Sequence, residues 1–457
     1  METTTATGGP ARLLPVDDGA PPALPAGATL FDIEARPASG DPTRGPTRGP
    51  ALALFGDAPA FAETLHVGRP NMPDRAAFLA RMETLLDSGR LTNLGPMTQA
   101  FETEVARVAG ARHCVSTCNA TVALELAVHA LGMEGDVIVP SFTFVADAHA
   151  LWRQGVRPVF CDVDPLTHSL DPACIEAAIT SRTTGILAVH MWGNRAAARV
   201  LEELAERHGL RLLFDAAHAF GCHDADGPRC AGDAEVYSFH ATKIAHAFEG
   251  GAIVTDDAEL ARRLRLMINF GFDGEDQVLH LGTNGKMSEP SAAMGLTSLE
   301  SLDAVIAHNR RNHEAYVTGL AGVPGLRAVS VDAAARHNHH YVVFEVDAAV
   351  AGLERDELVA ALRYENVIAR RYFHPGCHRM APYAGLFPQA GLTLPVTRAL
   401  TRRVVVLPTG LSVDTDDVAR LTERVRTAID NAGAVREALR SSRDPRRPSF
   451  LDEVSES

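Results

Sequence analysis

Three polar side chains near the middle of the chain could do chemistry together: Asp215, Ser238 and Lys243. A lysine amine can form a Schiff base with a carbonyl group and then carry protons. A buried aspartate can keep a basic ring nitrogen protonated, and a serine hydroxyl can bind a phosphate. This combination predicts a pyridoxal phosphate site, with Lys243 as the Schiff-base residue, Asp215 on the pyridine nitrogen and Ser238 on the phosphate.

The elements that flank these residues would bring them to one edge of a sheet. Residues 211–215 are typical of a buried parallel strand that ends in an acid, and residues 234–239 are typical of the next strand. Ligands of open α/β sheets bind at the carboxyl ends of the strands, so we expect Asp215 and Lys243 at the same edge. Each residue alone is weak evidence, because most lone lysines lie on the surface and many aspartates after strands cap helices.

Further segments extend the pattern along the chain, at residues 91–96, 116–124, 140–146, 189–193 and 269–271. From Gly89 to Gly410 the sequence resembles the sugar aminotransferases of the DegT/DnrJ/StrS type, which are fold type I pyridoxal phosphate enzymes. The resemblance implies an aminotransferase that uses pyridoxal 5'-phosphate, with pyridoxamine phosphate as an intermediate, and that acts on a nucleotide-linked keto sugar.

The resemblance also implies roles for five more residues. Phe144 corresponds to an aromatic residue that stacks on the cofactor ring, and His218 to a residue that hydrogen-bonds the ring hydroxyl. Ala120 and Thr121 correspond to a phosphate-binding turn at the start of a helix, where free N–H groups favour an anion. Asn269 corresponds to a residue that reaches the phosphate of the neighbouring subunit's cofactor, which implies a homodimer with shared active sites.

Ordinary structural roles compete for the same side chains. Phe144 follows an apolar strand over residues 137–139 and could belong to the core, and Thr121 could be only the first residue of a helix. His218 could be a hydrogen-bonded structural histidine, which is the interpretation we prefer for His240. Residues 249–251 could form a turn in which a glycine supplies a positive φ.

Two segments bear on the substrate. Residues 282–289 and 370–379 resemble the branch of the family that aminates C4 of dTDP-4-keto-6-deoxyglucose, with glutamate as the expected amino donor. Many relatives carry an aromatic residue and an arginine where Gly285 and Lys286 stand, so the nucleotide contacts stay open. Lys286, Arg371 and Arg379 could pair with the diphosphate or could be only surface charges.

Other functions remain open from the sequence. Amination at C3 of the sugar is the main alternative. A sugar dehydratase on the same fold would replace the Schiff-base lysine with histidine, and Lys243 argues against it. A non-catalytic, cofactor-binding sensor would tolerate loss of Asp215 or Lys243, yet both are present. The stereochemistry of the sugar and the final product are not determined.

The composition is that of a globular enzyme rather than of a nucleic-acid or membrane protein. The net charge of −14 and the scattered lysines and arginines argue against nucleic acid as a partner. The chain has no apolar run of about 18 residues and no secretion signal at its N-terminus, which favours a cytoplasmic enzyme.

Neither disulfides nor a metal are expected. The seven cysteines are an odd number at irregular positions, which is not a disulfide framework. His337, His339 and His340 are the densest histidine cluster, but alternation along a strand would send His339 and His340 to opposite faces. Structural zinc requires four convergent ligands.

The pattern along the chain predicts an α/β fold with two domains. Strands alternate with helices, which predicts a mainly parallel sheet flanked by helices. We expect a disordered extension over residues 1–65, a large cofactor-binding domain over 66–300, a smaller C-terminal α+β domain over 301–434 and a flexible tail over 435–457. The predicted helices cover 74–86, 97–109, 201–208, 298–319, 355–364 and 415–431, and strands of the small domain cover 341–346 and 403–407.

Overall fold

The computed structural model describes residues 50–195, 197–444 and 446–451. In these ranges the strands are β1 (Leu65–His66), β2 (His113–Thr117), β3 (Asp136–Pro140), β4 (Arg157–Cys161), β5 (Thr183–Val189), β6 (Arg211–Asp215), β7 (Ala234–Ser238), β8 (Gly251–Thr255), β9 (Leu326–Ala328), β10 (Val342–Val346), β11 (Val367–Ile368) and β12 (Val404–Leu407).

The helices of the same ranges are α1 (Arg75–Ser88), α2 (Pro96–Ala109), α3 (Ala120–Ala130), α4 (Ala146–Arg153), α5 (Pro172–Ala178), α6 (Ala198–His208), α7 (Ala258–Met267), α8 (Glu289–Glu300), α9 (Leu302–Gly319), α10 (Ala348–Ala351), α11 (Arg355–Tyr364), α12 (Ala381–Leu386), α13 (Pro395–Arg403), α14 (Thr415–Asp430) and α15 (Ala432–Ser441). Short 3₁₀ helices include Ala53–Phe55, Met191–Gly193, Cys377–Arg379 and Ala390–Thr393.

The main sheet has the strand order β2-β8-β7-β6-β5-β3-β4. The run from β7 through β6, β5 and β3 to β4 is parallel, whereas β8 is antiparallel to both of its neighbours. Every residue of β3, β7 and β8 is buried, as expected for strands covered on both faces. The mainly parallel, helix-flanked sheet predicted from the sequence is therefore confirmed.

The C-terminal half forms a second, smaller sheet. Strands β12, β10 and β9 are antiparallel neighbours, and the core around them includes side chains from α11 and α14. The helix predicted over 298–319 is in fact two helices, α8 and α9, which meet at Ser301. The Ser301 hydroxyl donates to the Ser298 carbonyl at 3.1 Å, a local bond that competes with helix continuation. The boundary between the two domains near residue 300 remains a prediction.

Ordered structure begins closer to the N-terminus than the composition of that segment predicts. Leu52 and Phe61 are 2% and 4% exposed and belong to the same core as α11 and α14. The Glu365 carboxylate accepts the backbone N–H of Ala53 at 2.7 Å and of Ala60 at 2.8 Å. The predicted disorder is wrong for residues 50–65, because a few apolar side chains without regular spacing can still fill a core built by other elements. Residues 1–49 lie outside the described ranges.

The predicted flexible tail is also wrong over its described part. Val435 and Leu439 lie four residues apart on α15, so they share one face, and both are buried in the C-terminal core. Arg436 on the same helix pairs with Glu357 of α11 at 3.2 Å. Residues 452–457 lie outside the described ranges.

The contribution of Leu52 to the core can be measured as a change in the free energy of unfolding. We expect Leu52→Ala to lower the free energy of unfolding by about 2–4 kcal/mol, because it leaves a cavity beside α11 and α14. Leu79→Ala is the control: Leu79 is 47% exposed on α1, so its loss is expected to cost less than about 1 kcal/mol. Urea unfolding followed by circular dichroism measures both. Equal midpoints for the two variants would contradict the assignment of residue 52 to the core.

Candidate active site

Parallel pairing brings Asp215 and Ser238 to the same edge of the main sheet. Asp215 is the last residue of β6 and Ser238 the last residue of β7, and the two strands are in register at Asp215 and Val236. Lys243 follows on the loop between β7 and β8. The three residues that the sequence singled out are therefore neighbours at the carboxyl ends of adjacent strands.

Lys243 lies in a desolvated position between the two sheets. Its Nζ donates to the Tyr341 hydroxyl at 3.2 Å, and Tyr341 immediately precedes β10 of the second sheet. Burial lowers the pKa of Lys243, although the nearby Asp215 acts in the opposite direction. Burial and Asp215 raise the pKa of the Tyr341 phenol, so this hydroxyl stays protonated. A larger share of Lys243 is thus neutral, the form that attacks a carbonyl carbon.

Asp215 shares its pocket with a second buried acid, Asp147 of α4. Asp215 accepts the backbone N–H of Ala217 at 2.8 Å, and Asp147 accepts the Thr143 hydroxyl at 2.5 Å. Burial and the adjacent Asp215 raise the pKa of Asp147 well above its usual range, and the two carboxyl groups lie close enough to share a hydrogen bond. Oδ1 of Asp147 has no hydrogen-bond partner in the described residues. A proton on Asp147 would give it one and leave the pair with a single negative charge.

His218 is held among aromatic side chains. Its ring stacks on Trp192 and Phe373 at centroid distances of 5.7 and 6.0 Å and lies 4.2 Å from the Tyr341 ring. The Trp192 backbone N–H donates to His218 Nδ1 at 3.3 Å. Burial, with Lys243 nearby, lowers the pKa of His218 well below its usual range. The imidazole is therefore neutral and carries its proton on Nε2, where it can donate to an oxygen of a bound molecule.

The start of α3 offers backbone amides to an anion. Asn119 caps the helix by accepting the Val122 N–H at 2.9 Å, so the amides of Ala120 and Thr121 in the first turn are not used by the helix itself. A Cβ on Gly251 would come within 2.5 Å of the Asn119 backbone, so glycine allows β8 to approach this turn closely. The role proposed for residues 249–251 is corrected accordingly: the glycine provides space rather than a positive φ.

Phe144 is exposed rather than part of the core. Its side chain is 60% exposed beside the turn that leads into α4, so the core interpretation is wrong and the ring is free to contact a planar ligand. His240 keeps a structural role, because its Nδ1 bonds to the Thr242 hydroxyl at 2.8 Å. Lys243, Asp215, the α3 turn and Phe144 together fit a phosphorylated aldehyde that has a basic aromatic ring.

The structure separates the three tentative substrate residues. Lys286 donates to Asn269 Oδ1 at 2.7 Å and lies 5.0 Å over the Phe270 ring. Arg371 is paired with Asp356 at 3.1 Å. Arg379 lies on the 3₁₀ helix Cys377–Arg379 and faces a different cavity, to which none of the cofactor residues contributes. Lys286 therefore contacts Asn269, whereas the two arginines lie in other surroundings.

The histidine cluster is not arranged around a metal. His337 to His340 precede β10 rather than lie within it, and His337 Nε2 bonds to the Trp192 carbonyl at 3.0 Å. His340 Nε2 bonds to the Thr242 carbonyl at 2.9 Å. In the described ranges no three or more His, Cys, Asp or Glu side chains are grouped to hold a metal ion, and no helix is long and apolar enough to cross a membrane.

Sequence reasoning missed three groups of the pocket: Asp147, Trp192 and Tyr341. Asp147 and Trp192 lie inside or beside segments that the sequence had marked, at residues 140–146 and 189–193. An acid just after a marked segment was a usable signal for Asp147. Tyr341 is 98 residues from Lys243 and leads into a strand of another sheet, so no local pattern points to it.

Comparison with known proteins gives consistent results. Residues 73–426 match the model of the DegT/DnrJ/EryC1/StrS aminotransferase family. A dTDP-4-amino-4,6-dideoxy-D-glucose transaminase of Shigella dysenteriae is 35% identical, over 79% of this chain and 98% of the relative. A dTDP-3-amino-3,4,6-trideoxy-alpha-D-glucose transaminase of Micromonospora megalomicea subsp. nigra is 36% identical, over 78% and 96%.

Solved structures agree with the fold and the family. The structure of DesI in the presence of its TDP-sugar product superposes with a TM-score of 0.82 at 49% identity, covering 85% of this chain and 99% of DesI. DesV of S. venezuelae, in complex with a ketimine intermediate, superposes with a TM-score of 0.73 at 32% identity, covering 79% and 99%. The chain belongs to the DegT/DnrJ/EryC1/StrS aminotransferase family and is a pyridoxal phosphate-dependent transaminase.

Proposed function

We propose that the enzyme moves an amino group from glutamate to C4 of dTDP-4-keto-6-deoxyglucose, in the biosynthesis of a deoxyamino sugar. The observation that carries the transaminase chemistry is the half-buried Lys243 amine between Asp215 and the Tyr341 hydroxyl. Relatives named as dTDP-4-amino-4,6-dideoxy-D-glucose transaminases, at 35% and 32% identity, support the C4 position. Amination at C3 is the second candidate, because the Micromonospora relative is equally similar at 36%.

Lys243 holds the cofactor and moves protons in this proposal. Bound pyridoxal phosphate supplies an aldehyde that accepts the amino group and a ring that draws electrons from the bond being broken. The lowered pKa of Lys243 provides neutral amine both for attachment and for taking up the proton from the donor carbon. A positioned amine of this kind contributes about 10²- to 10⁴-fold to the rate.

The other residues of the pocket orient the cofactor. Asp215 would face the ring nitrogen, and a protonated Asp147 would fix the Asp215 carboxylate by donating to it. His218 Nε2–H would donate to the ring hydroxyl, and Phe144 would lie against the ring. The phosphate would bind the first-turn amides of Ala120 and Thr121 together with the hydroxyls of Thr121 and Ser238.

Lys286 is the best of the tentative substrate residues. Burial lowers its pKa, and it lies beside Asn269, which the family resemblance assigns to a neighbouring active site. Arg371 is held by Asp356 and lies 3.7 Å over the Phe450 ring, so it is poorly placed for a diphosphate. Arg379 faces a separate cavity and is not required for this function.

A homodimer with shared sites accounts for an exposed apolar surface next to Asn269. Phe270, Val278, Leu279 and Leu281 follow Asn269 and are 48%, 57%, 43% and 78% exposed. Large apolar side chains that cluster on a surface mark interfaces. An isologous interface here would let each subunit give an Asn269 contact and receive one. A cytoplasmic location also stays a prediction.

Product analysis tests the proposed function. Incubation with glutamate and dTDP-4-keto-6-deoxyglucose is expected to yield a 4-amino sugar by mass spectrometry and NMR, and the 3-keto isomer is expected to react poorly. Lys243→Ala should abolish turnover and also the cofactor adduct trapped by borohydride, whereas Lys286→Ala, which leaves the amine at 243 in place, should keep the adduct. Preferential formation of a 3-amino sugar would contradict the C4 assignment.

The protonation of Asp147 can be tested without cofactor. If folding keeps Asp147 protonated, the folded apoprotein binds more protons than the unfolded chain, so its stability falls as pH rises from about 4 toward the folded-state pKa. Asp147→Asn removes this penalty while keeping a donor to Asp215. The stability of the variant relative to the wild type should therefore rise with pH, by up to about 1.4 kcal/mol per pH unit.

Urea unfolding at pH 5, 6, 7 and 8 measures this difference. A difference that stays constant with pH would mean that Asp147 is ionised in the folded protein.

The role proposed for Asp215 is tested by the kinetics of Asp215→Asn. This variant should lower kcat at least about tenfold while cofactor still binds, because an amide cannot stabilise a protonated ring nitrogen. Normal kcat in Asp215→Asn would remove the role given to that residue.

Mixed dimers test the shared site. Lys243→Ala and Asn269→Asp are each expected to be impaired alone, the second because a carboxylate would face a phosphate. If Asn269 reaches the partner's site, a mixed dimer has both lesions in one site and leaves the other intact. Differently tagged subunits, purified as the mixed species, should then regain about half of wild-type activity per dimer. No gain over the parents, with exchange confirmed by the tags, would place the Asn269 contact within its own chain.

A further inference from the structure

A cavity with arginines on its wall lies apart from the residues assigned to the cofactor. It is formed by α13, the end of α12, the 3₁₀ helices Cys377–Arg379 and Ala390–Thr393, and the turn between β10 and α10, and it has a volume of about 920 Å³. We call it the arginine cavity. Its volume is in the range of small-molecule sites.

The charges on its wall are mainly positive and unpaired. Arg379, Arg398, Arg402 and Arg403 all line it, and none of them has a carboxylate partner among the described residues. Arg398 and Arg402 are one helical turn apart on α13, so they share a face. These four guanidinium groups lie together in a chain whose net charge is −14.

The two acids on the wall are already in use. Asp347 caps α10 by accepting the Ala349 N–H at 3.1 Å. Glu354 forms a reciprocal capping pair with Glu357 at the start of α11. Both carboxylates satisfy backbone N–H groups, and with four guanidinium groups against two carboxylates the wall keeps an excess of positive charge.

A buried donor without a partner points into the same space. His378 is 4% exposed, and its Nδ1 lies 2.7 Å from the Ser141 hydroxyl, whose oxygen also accepts the His378 backbone N–H at 3.0 Å. The Ser141 hydroxyl has no other acceptor for its proton among the described residues, so we assign it as the donor to Nδ1, which places the proton of the neutral imidazole on Nε2. Burial, together with Arg379 and Arg398, lowers the pKa of His378 to about 4. Nε2 has no partner in the described residues, although it lies against the cavity.

Gly391 leaves this donor uncovered. A Cβ at position 391 would come within 3.4 Å of His378 Nε2 and within 3.3 Å of its Cδ2. A larger side chain there would cover the edge of the imidazole that an acceptor must reach. The absence of one keeps Nε2–H available from the cavity.

We propose that the arginine cavity binds a diphosphate-bearing small molecule, with His378 Nε2–H and the guanidinium groups of Arg398 and Arg402 donating to phosphate oxygens. Guanidinium groups bind phosphates through paired, charge-assisted hydrogen bonds, and a neutral N–H inside the wall adds a directional donor. Phe387 and Leu392 supply an apolar wall for an organic group beside the diphosphate. This site does not depend on the proposed sugar specificity.

A ligand bound in the arginine cavity could change the position of residues at the cofactor site. Ser141, which orients His378, immediately precedes the segment that carries Thr143, Phe144 and Asp147. The neighbouring Cys377 contacts the Thr143 carbonyl through its thiol at 3.4 Å. A ligand that moves His378 would act on the same turn that places Asp147 beside Asp215.

Calorimetric titration of the holoenzyme tests the proposal, with inorganic pyrophosphate and adenosine diphosphate as probes. We expect both to bind, and Arg398→Gln/Arg402→Gln to weaken binding at least about tenfold. Arg311→Gln/Arg440→Gln removes the same charge from exposed positions outside the cavity and should leave affinity within about twofold. Tighter binding of the nucleotide would assign the apolar wall to a nucleoside, and equal binding would assign the cavity to the diphosphate alone.

Two further variants locate the binding. Gly391→Leu, which covers Nε2 without changing charge, should weaken binding as His378→Phe does. In ¹⁵N-histidine NMR of the wild type, pyrophosphate should shift the ring resonances that are missing from His378→Phe. No binding at millimolar probe, equal affinity in the cavity and control variants, or unmoved His378 resonances would each overturn the site.

Discussion

The cost of burying carboxylates governs how this protein is built around its active site. A buried carboxylate is tolerated only when cations or N–H donors replace the water it has lost. Glu235 of β7 is paired with Arg195 at 2.8 Å and receives the Tyr237 hydroxyl at 2.7 Å. Glu102 of α2 receives both terminal nitrogens of Arg265. Glu235 lies in the strand that ends at Ser238, so this buried carboxylate close to the site is already paired before a ligand binds.

Asp215 and Lys243 were predictable because their signals are local. The sequence shows an apolar strand that ends in an acid, then a second strand and a loop with a lysine. If the two strands are parallel, both Asp215 and Lys243 must lie at the carboxyl edge of the sheet. The helices α1, α2, α6, α11 and α14 were found within a few residues of their ends, since their caps and apolar spacing are also local. The parallel pairing of β6 and β7 is not local in this sense, because no helix lies between these two strands in the described residues.

What could not be predicted depends on contacts between distant segments. Tyr341 meets Lys243 only because the second sheet packs against the first, and Arg371 loses its availability only because Asp356 lies beside it. The order of residues 50–65 depends on a core made by α11 and α14, which the composition of that segment does not reveal. For Asp147, the sequence shows an acid at the start of α4 but not that its side chain faces another acid.

Asp215 departs from the rule of compensated carboxylates, and this departure fits the role proposed for it. In the described residues it has one backbone donor and a neighbouring acid, and no arginine reaches it. Lys243 is nearby, but burial favours its neutral form and its amine bonds to Tyr341 instead. A carboxylate left in this condition attracts a cation of suitable size, such as a protonated pyridine nitrogen. The strand ends thus keep a carboxylate with few compensating partners, which supports the proposal that Asp215 faces the ring nitrogen of the cofactor.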